Sequence, residues 1–323
     1  MDNARLQNDA PVAQLDRVPG YEPGGRRFES FRARHFFLCG EKPHFLCLLS
    51  GNTMQTIIAT CPAWPQGNAD LRALAAALDA ALIPWSDILP GPAIILPLAV
   101  WDYSTDPAAY RRWLREQVQA GARFINSPAL QIWNMDKRYL CELAAQGLAV
   151  TPGMALVPGD DWAARIAASG WDNPVIKPLI GQSGRGVRRL AAGLPHLADY
   201  PQGMLVQPFV DAPFGEVCLV YLDGHYSHAA HRRPAAGEWR ANSAYGVDIL
   251  SIEPEAAWCA RAQAALAALP EHPAYARVDG LITADGDYLI NEIELIEPAL
   301  YLAQNPAAIT AFARLIQKIG LNI

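Results

Sequence analysis

The 323 residues include six cysteines, and no two of them stand in a C-x-x-C spacing. Neither a zinc ribbon nor a disulfide framework is indicated, and reduced thiols in a cytoplasmic protein fit the pattern. Long apolar runs are also missing: residues 93–100 fall far short of the ~20 that a membrane helix needs. Positive charge is not in excess, and a formal net charge of -6 argues against a surface built for nucleic acid. There is no internal repeat and no G-K-[ST] phosphate loop. With 51% hydrophobic content the chain can still bury more than one core, so two or three compact units are expected.

The first fifty-three residues stand apart. Residues 12–34 show neither helical nor strand periodicity and are rich in Pro, Gly and Arg. Back-translated, V-A-Q-L-D-R resembles the D-arm of a transfer RNA gene and F-E-S its T-loop, with G-Y-E-P between them compatible with an anticodon loop. Residues 1–53 are therefore expected to be a leader from a start assigned too early, with Met54 beginning the natural product. The alternative is a genuine basic tail, and native peptides from residues 1–53 would establish it. The segment holds 7 of the 26 basic and 6 of the 32 acidic residues, so its removal moves the net charge only from -6 to -7.

From Met54 the pattern alternates. Residues 55–61 read as a strand, an Ala/Leu-rich helix follows from Asp70 to about Leu82, and residues 93–100 read as a buried strand. Asp106 and Pro107 supply a cap and first-turn proline for a helix through Tyr110, Trp113 and Leu114. This order predicts a small open parallel α/β unit, with Trp101, Asp102 and Tyr103 at a strand's carboxyl end, where such sheets place ligands. A turn with two packing aromatics is the alternative there.

The densest chemistry runs from Tyr275 onward. A-R-V-D-G-L-I and D-Y-L-I-N-E-I-E-L read as two strands joined by a tight turn at residues 284–287. Side chains two apart share a strand face, so Arg277 and Asp279 point together, as do Glu292 and Glu294. Three carboxylates and a guanidinium converge on strands rich in Val, Ile and Leu, where clustered acids need a compensating cation. The readings are a divalent metal site or a solvated acidic face; hard oxygen donors favour Mg²⁺ or Mn²⁺ over zinc.

Upstream, V-I-K-P-L-I-G-Q-S-G-R-G is a strand carrying Lys177 into a loop with Gly181, Ser183, Gly184 and Gly186. Such a loop exposes amides to phosphate oxygens with Lys177 as a point charge, although a plain hairpin loop explains the glycines as well. Lys137 is expected in the first turn of a helix capped by Asn134 or Asp136, where an anionic ligand or an exposed surface lysine accounts for it. Q-P-F-V contributes Gln207 and Val210, and Glu216 opens the next strand. His231, Arg232 and Arg233, then G-E-W-R-A-N with Arg240 and Asn242, form either a solvated run or an anion-binding face. Residues 256–269 and 305–319 are expected to be packing helices.

Taken in order, Lys137, K-P-L-I-G-Q-S-G-R-G, Q-P-F-V with Glu216, and R-V-D…N-E-I-E resemble the ATP-grasp superfamily, over residues 124–301. V-I-K-P-L and G-E-W-R-A-N are similar to bacterial glutathione synthetase, and Y-A-R-V-D to D-alanine:D-alanine ligase. W-D-Y, N-M-D-K-R-Y-L and E-I-E-L-I-E-P resemble the group of O-ureido-D-serine cyclo-ligase, which closes D-cycloserine. The resemblance implies an α/β (α+β) chain: an N-terminal parallel domain at 54–126, then an ATP-grasp small subdomain at 127–204 and a large one at 205–323.

It further implies that Lys137, Lys177 and the glycine-rich loop contact ATP phosphates, Gln207 and Val210 the adenine, and Glu216 the ribose. Asp279, Glu292 and Glu294 would hold Mg²⁺ or Mn²⁺, with Glu294 where the superfamily often has Asn. Arg277, with Lys177, would stabilise charge on an acyl phosphate. Arg232, Arg233, Arg240 and Asn242 are candidates for substrate carboxylate binding, and Glu297 for substrate contact or support of the metal ligands. The partners implied are a small-molecule carboxylate and an amine, with no nucleic acid and no membrane; self-association stays open. A small-molecule kinase and a non-catalytic ATP-binding module are the competing classes.

Overall fold

The computed structural model describes residues 54–190, 195–241 and 245–321; the expected leader and Asn242 lie outside the described residues. The first sheet is parallel, in the order β2-β1-β3-β4, from β1 (Gln55–Thr60), β2 (Ala81–Pro84), β3 (Ala93–Leu96) and β4 (Arg123–Phe124). Both faces are covered, so its strands are apolar throughout instead of alternating. Ile57, Ala59 and Ile95 pack under α2 (Pro107–Gln119) through Tyr110, Trp113 and Leu114. Ile58, Ile94 and Leu96 pack with Leu74 and Leu78 of α1 (Ala69–Leu78), and with Phe312 and Ile316 of the last helix, α7 (Pro306–Leu321).

The helix expected to reach Leu82 stops at Leu78. Asp79 takes a left-handed backbone conformation (φ 50°) and turns its amide back to Ala75 and Ala76, after which the chain re-emerges as β2. The strand expected over residues 93–100 stops at Leu96, where Pro97, with no amide hydrogen to donate, ends the pairing. Asp106 caps α2 as expected, accepting from the Ala109 amide.

The segment read as one helix around Lys137 is two. Ser127 caps α3 (Pro128–Asn134), and α4 covers Arg138–Ala145, with Lys137 immediately before it. Asn134 caps nothing: it donates to the Ile293 carbonyl and accepts from the Leu295 amide, gripping the acidic strand edge.

The second sheet is antiparallel, β5-β8-β6-β7, from β5 (Met154–Leu156), β6 (Val175–Pro178), β7 (Arg188–Arg189) and β8 (Met204–Gln207). A boundary at residue 204 would cut β8, which pairs here. The sheet has its own core, where Trp162 of α5 (Trp162–Ala168) meets Ile176, Met204 and Val206.

The third sheet is antiparallel too, β11-β10-β9-β12-β13, from β9 (Glu216–Leu222), β10 (His225–Arg233), β11 (Asp248–Ser251), β12 (Tyr275–Ile282) and β13 (Tyr288–Glu294). Period-two alternation divides its residues. Val217, Leu219, Tyr221, Ala276 and Val278 enter a core closed by α4 and by α6 (Ala256–Ala267). The opposite face carries Glu216 and Cys218 on β9, Arg232 on β10, Arg277 and Asp279 on β12, and Glu292 and Glu294 on β13.

Candidate active site

The β12–β13 hairpin forms as its alternation predicts. Arg277 lies opposite Glu294 and Asp279 opposite Glu292, but Gly280 faces Ile290, so β13 carries one extra residue, Asn291. This bulge turns Asn291 toward the same face as its charged neighbours. Gly280 is required here, since a Cβ would lie 2.2 Å from the Tyr288 ring, whose hydroxyl donates to the Val278 carbonyl.

Asp279 is completely buried. Arg277 donates to both of its oxygens at 2.8 Å, and Arg232 donates to Oδ2 at 2.9 Å and to Glu216 Oε2 at 2.5 Å. Arg277 also pairs with Glu294. Burial alone would raise the Asp279 carboxyl; the two guanidinia outweigh it and bring it down to about 2. Burial and the nearby Asp279 and Glu292 charges push Glu294 up to about 7 against the pull of Arg277.

Lys137 is no exposed surface lysine: it is 7% exposed, its Nζ donates to the Gly181 carbonyl at 3.0 Å, and it pairs with Glu292. That pairing outweighs burial and holds Glu292 below the ordinary carboxylate range. Lys177, on β6, donates to Asn291 Oδ1 at 2.7 Å, while Asn291 Nδ2 donates to Glu216 Oε1 at 3.3 Å. Burial, with help from Lys137 and against Glu292, brings the Lys177 ammonium down to about 8. Two lysines thus carry contacts from the glycine-rich hairpin to the acidic strand.

In that hairpin's loop, Ser183, Gly184 and Gly186 take left-handed backbone conformations (φ 57°, 70° and 71°). Among the described residues, the amides of Gly181, Ser183, Gly184 and Gly186 donate to no protein acceptor. The loop leans on the first sheet: Arg185 donates to the Trp101 carbonyl at 3.0 Å, and the Ser104 amide donates to Gln182 Oε1 at 3.2 Å. Trp101, Asp102 and Tyr103 form the turn with packing aromatics, the alternative to a ligand position there. Tyr103 packs on Tyr110, while the Trp101 indole donates to the Glu297 carbonyl at 3.2 Å.

Other candidates fall elsewhere. Gln207 is buried with its side-chain amide donating to the Thr151 carbonyl, and Val210 stands half-buried in the segment joining β8 to β9. Neighbours on a strand face opposite ways, so Arg232 enters the cluster while Arg233 stays exposed beside Asp248 at 3.1 Å. Arg240 chelates Glu238 and stacks over Tyr245. Glu297 is 9% exposed, and burial followed by the Glu294 charge raises its carboxyl well above the usual range. Sequence reasoning missed Asn291; its one signal was its place within N-E-I-E. Cys218 sits beside Asp279, but burial holds its thiol well up and therefore inert.

Among the described residues, no three His, Cys, Asp or Glu side chains form a ready metal cage. The donors nevertheless suit Mg²⁺, which takes one or two carboxylates and completes its shell with water and substrate phosphates. Glu292 and Glu294 are half-buried, with the charge of Glu292 held by Lys137 and that of Glu294 by Arg277.

No family model matches the sequence. The cycloserine biosynthesis protein DcsG of Streptomyces lavendulae is 31% identical over 224 residues, 62% of this chain and 74% of that one. A glutathione synthetase of Parasynechococcus marenigrum (strain WH8102) is 31% identical over 163 residues, 46% of this chain and 51% of that one. The crystal structure of D-cycloserine synthetase DcsG matches with a TM-score of 0.70 at 25% identity, over 82% of this chain and 99% of that one. The ATP-grasp ligase PsnB complexed with minimal precursor shares the fold, with a TM-score of 0.56 at 14% identity over 82% and 99%. With its parallel first sheet, two antiparallel sheets and lysines reaching between them, the chain belongs to the ATP-grasp superfamily of ligases.

Proposed function

We propose that this ligase activates the carboxylate of a small, amino-acid-like molecule as an acyl phosphate and joins it to an amine, within one molecule or between two. The observation that carries the reading is the bridge made by Lys137, from the Gly181 carbonyl in the glycine-rich loop to Glu292 on the acidic strand. ATP is consumed and is therefore a substrate. Lys137, Lys177 and the free loop amides of Gly181, Ser183, Gly184 and Gly186 bind its phosphates. The segment with Gln207 and Val210 flanks the base, and Glu216 the ribose.

Asp279, Glu292 and Glu294 would hold Mg²⁺, or Mn²⁺, which would neutralise phosphate charge. Phosphate binding draws Lys137 from Glu292 and frees that carboxylate. Arg277, locked by Asp279 and by the Ala299 carbonyl at 3.0 Å, is positioned to stabilise negative charge on the acyl phosphate and on the tetrahedral adduct. Arg232, fixed between Glu216 and Asp279, supports that charge balance; substrate carboxylate contact falls to Arg240, with Arg233 and Asn242 as weaker candidates.

The deciding assay offers a panel of D- and L-amino acids and their derivatives and follows phosphate release, with hydroxylamine present as a trap. A hydroxamate establishes the acyl phosphate; a stable phosphorylated product would instead make the chain a kinase, and nucleotide binding without turnover would make it a binding module. Glu292→Gln should abolish Mg²⁺-dependent ADP formation. Asp279→Ala is the poorer probe, because removing a buried acid from two arginines costs about 3–5 kcal/mol of stability and confuses folding with catalysis.

A further inference from the structure

Residues 295–300 follow β13 without regular structure, yet every carbonyl in the stretch except that of Pro298 is held by a side chain. Asn126 Nδ2 donates to Leu295 at 2.8 Å, the Tyr275 hydroxyl to Ile296 at 2.8 Å and the Trp101 indole to Glu297 at 3.2 Å. Arg277 Nη1 donates to Ala299 at 3.0 Å and His228 Nε2 to Leu300 at 2.8 Å. Buried carbonyls need partners in any protein. Here the partners come from the first sheet's loops and from β10 and β12, so the segment's position is fixed from three sides.

What this segment presents to the site is the carboxyl of Glu297. Glu216, Asp279, Glu292 and Glu294 each accept from a cationic side chain. Among the described residues no side chain donates to Glu297, although it is 9% exposed. The titratable groups around it are Glu292 and Glu294 on β13, Lys137 before α4, Tyr103 ahead of α2, Tyr110 on α2 and Tyr275 on β12. Lys137, the cation among them, is already committed to Glu292 and Gly181. Burial and the Glu294 charge raise the Glu297 carboxyl well above the usual carboxylate range. That carboxyl has the Glu297 backbone amide as a donor but no cation, and a rigidly held buried acid is costly to ionise unless a ligand supplies one.

Resting on the ligase reading above, we infer that Glu297 receives the attacking amine substrate and takes its proton. An incoming ammonium is the cation that lets the carboxyl ionise, the carboxyl's own proton passing to bulk water as the ammonium binds. One proton passes from the ammonium to a Glu297 oxygen and frees the nitrogen lone pair. The nitrogen then bonds to the acyl carbon, the bond from that carbon to the phosphate oxygen breaks, and the second proton leaves with the phosphate as hydrogen phosphate. An acid tuned above the carboxylate range suits such a transfer, because acceptor and donor are closer in proton affinity.

The test compares the wild type with Glu297→Gln and Glu297→Asp, using the panel carboxylate that gives most hydroxamate and offering either hydroxylamine or the panel amine that couples best. Hydroxylamine is largely neutral at about pH 7.5 and needs no proton acceptor. The ratio of amide to hydroxamate should fall at least about 100-fold in Glu297→Gln, recover as pH rises toward about 9.5 and the amine loses its proton unaided, and be partly restored in Glu297→Asp. An unchanged ratio overturns the inference, as does a rise in the carboxylate's KM with hydroxylamine alone, which would make Glu297 an anchor for the activated substrate. A wild type that yields no hydroxamate overturns the ligase reading and this role with it, a result distinct from hydroxamate formed at an unaltered ratio.

Discussion

Lys177 sits where water cannot reach it well, and desolvation sets its chemistry. With an ammonium near pH 8, the free protein holds a charged Lys177 below that value and a neutral one above it. A bound phosphate prefers the charged form, so nucleotide affinity should weaken as pH rises through about 8, by at most about tenfold per pH unit for one proton. Calorimetric Kd values for ADP between about pH 7 and 9.5 measure this, and Lys177→Ala should flatten the dependence. Glu294 gives the opposite case. Its folded-state value near 7 lies above the ~4.3 of an unfolded chain, so its favourable contribution is complete below the unfolded value and lost as pH rises through about 7. Glu294→Gln mimics the protonated acid. It should change Tm little near pH 4 and raise it by a few degrees near pH 8, on the order of 1–2 kcal/mol after allowance for a side chain 25% exposed. Equal gains at both pH values would show that ionisation is not the cause.

The bulge in β13 shows what an element adds to its residues. Asn291 accepts from Lys177 and donates to Glu216, linking the second sheet to the third through one side chain. Asn291→Ala leaves a buried ammonium without its acceptor and should lower kcat/KM by about 10- to 100-fold, the cost of a lost charge-assisted hydrogen bond. Asn291→Asp should instead move the decline in ADP affinity above pH 8, because an added carboxylate favours the charged lysine. A merely structural role for Asn291 would leave that pH dependence in place. The R-V-D and E-I-E faces were legible because period two needs no knowledge of the partner strand. Asn291 was not, since a bulge is a relation between two strands. Arg232 and Arg233 look equivalent in sequence, and only the register of Arg232 opposite Glu216 separates them. The missed strand β2 has the same origin: the Ala/Leu pattern runs on past Asp79, and one left-handed residue ends the helix.

Across the whole molecule, the chain closes on itself. α7 leaves the third sheet's neighbourhood and covers the first sheet, whose Ile58 and Ile94 share one core with Phe312 and Ile316 and with Val220 and Tyr275 of the third sheet. Phe312 is fully buried, and its ring meets that of Tyr275 at 5.7 Å, two residues before Arg277 on the same strand. Division of the chain into successive segments hides this, because α7 is distant in sequence from the strands it covers. The shared core ties the stability of the site to that of the first sheet. Phe312→Ala should cost about 3–5 kcal/mol, and the loss should reach both sheets. Hydrogen exchange can read each sheet separately: β1 and β3 amides should lose protection in parallel with those of β9 and β12, by the same amount and at the same denaturant concentration. The second sheet, with its own core around Trp162 and Ile176, need not follow. If β9 and β12 kept wild-type protection while β1 and β3 lost theirs, the two sheets would be independent units, and the site would owe its rigidity to the third sheet alone.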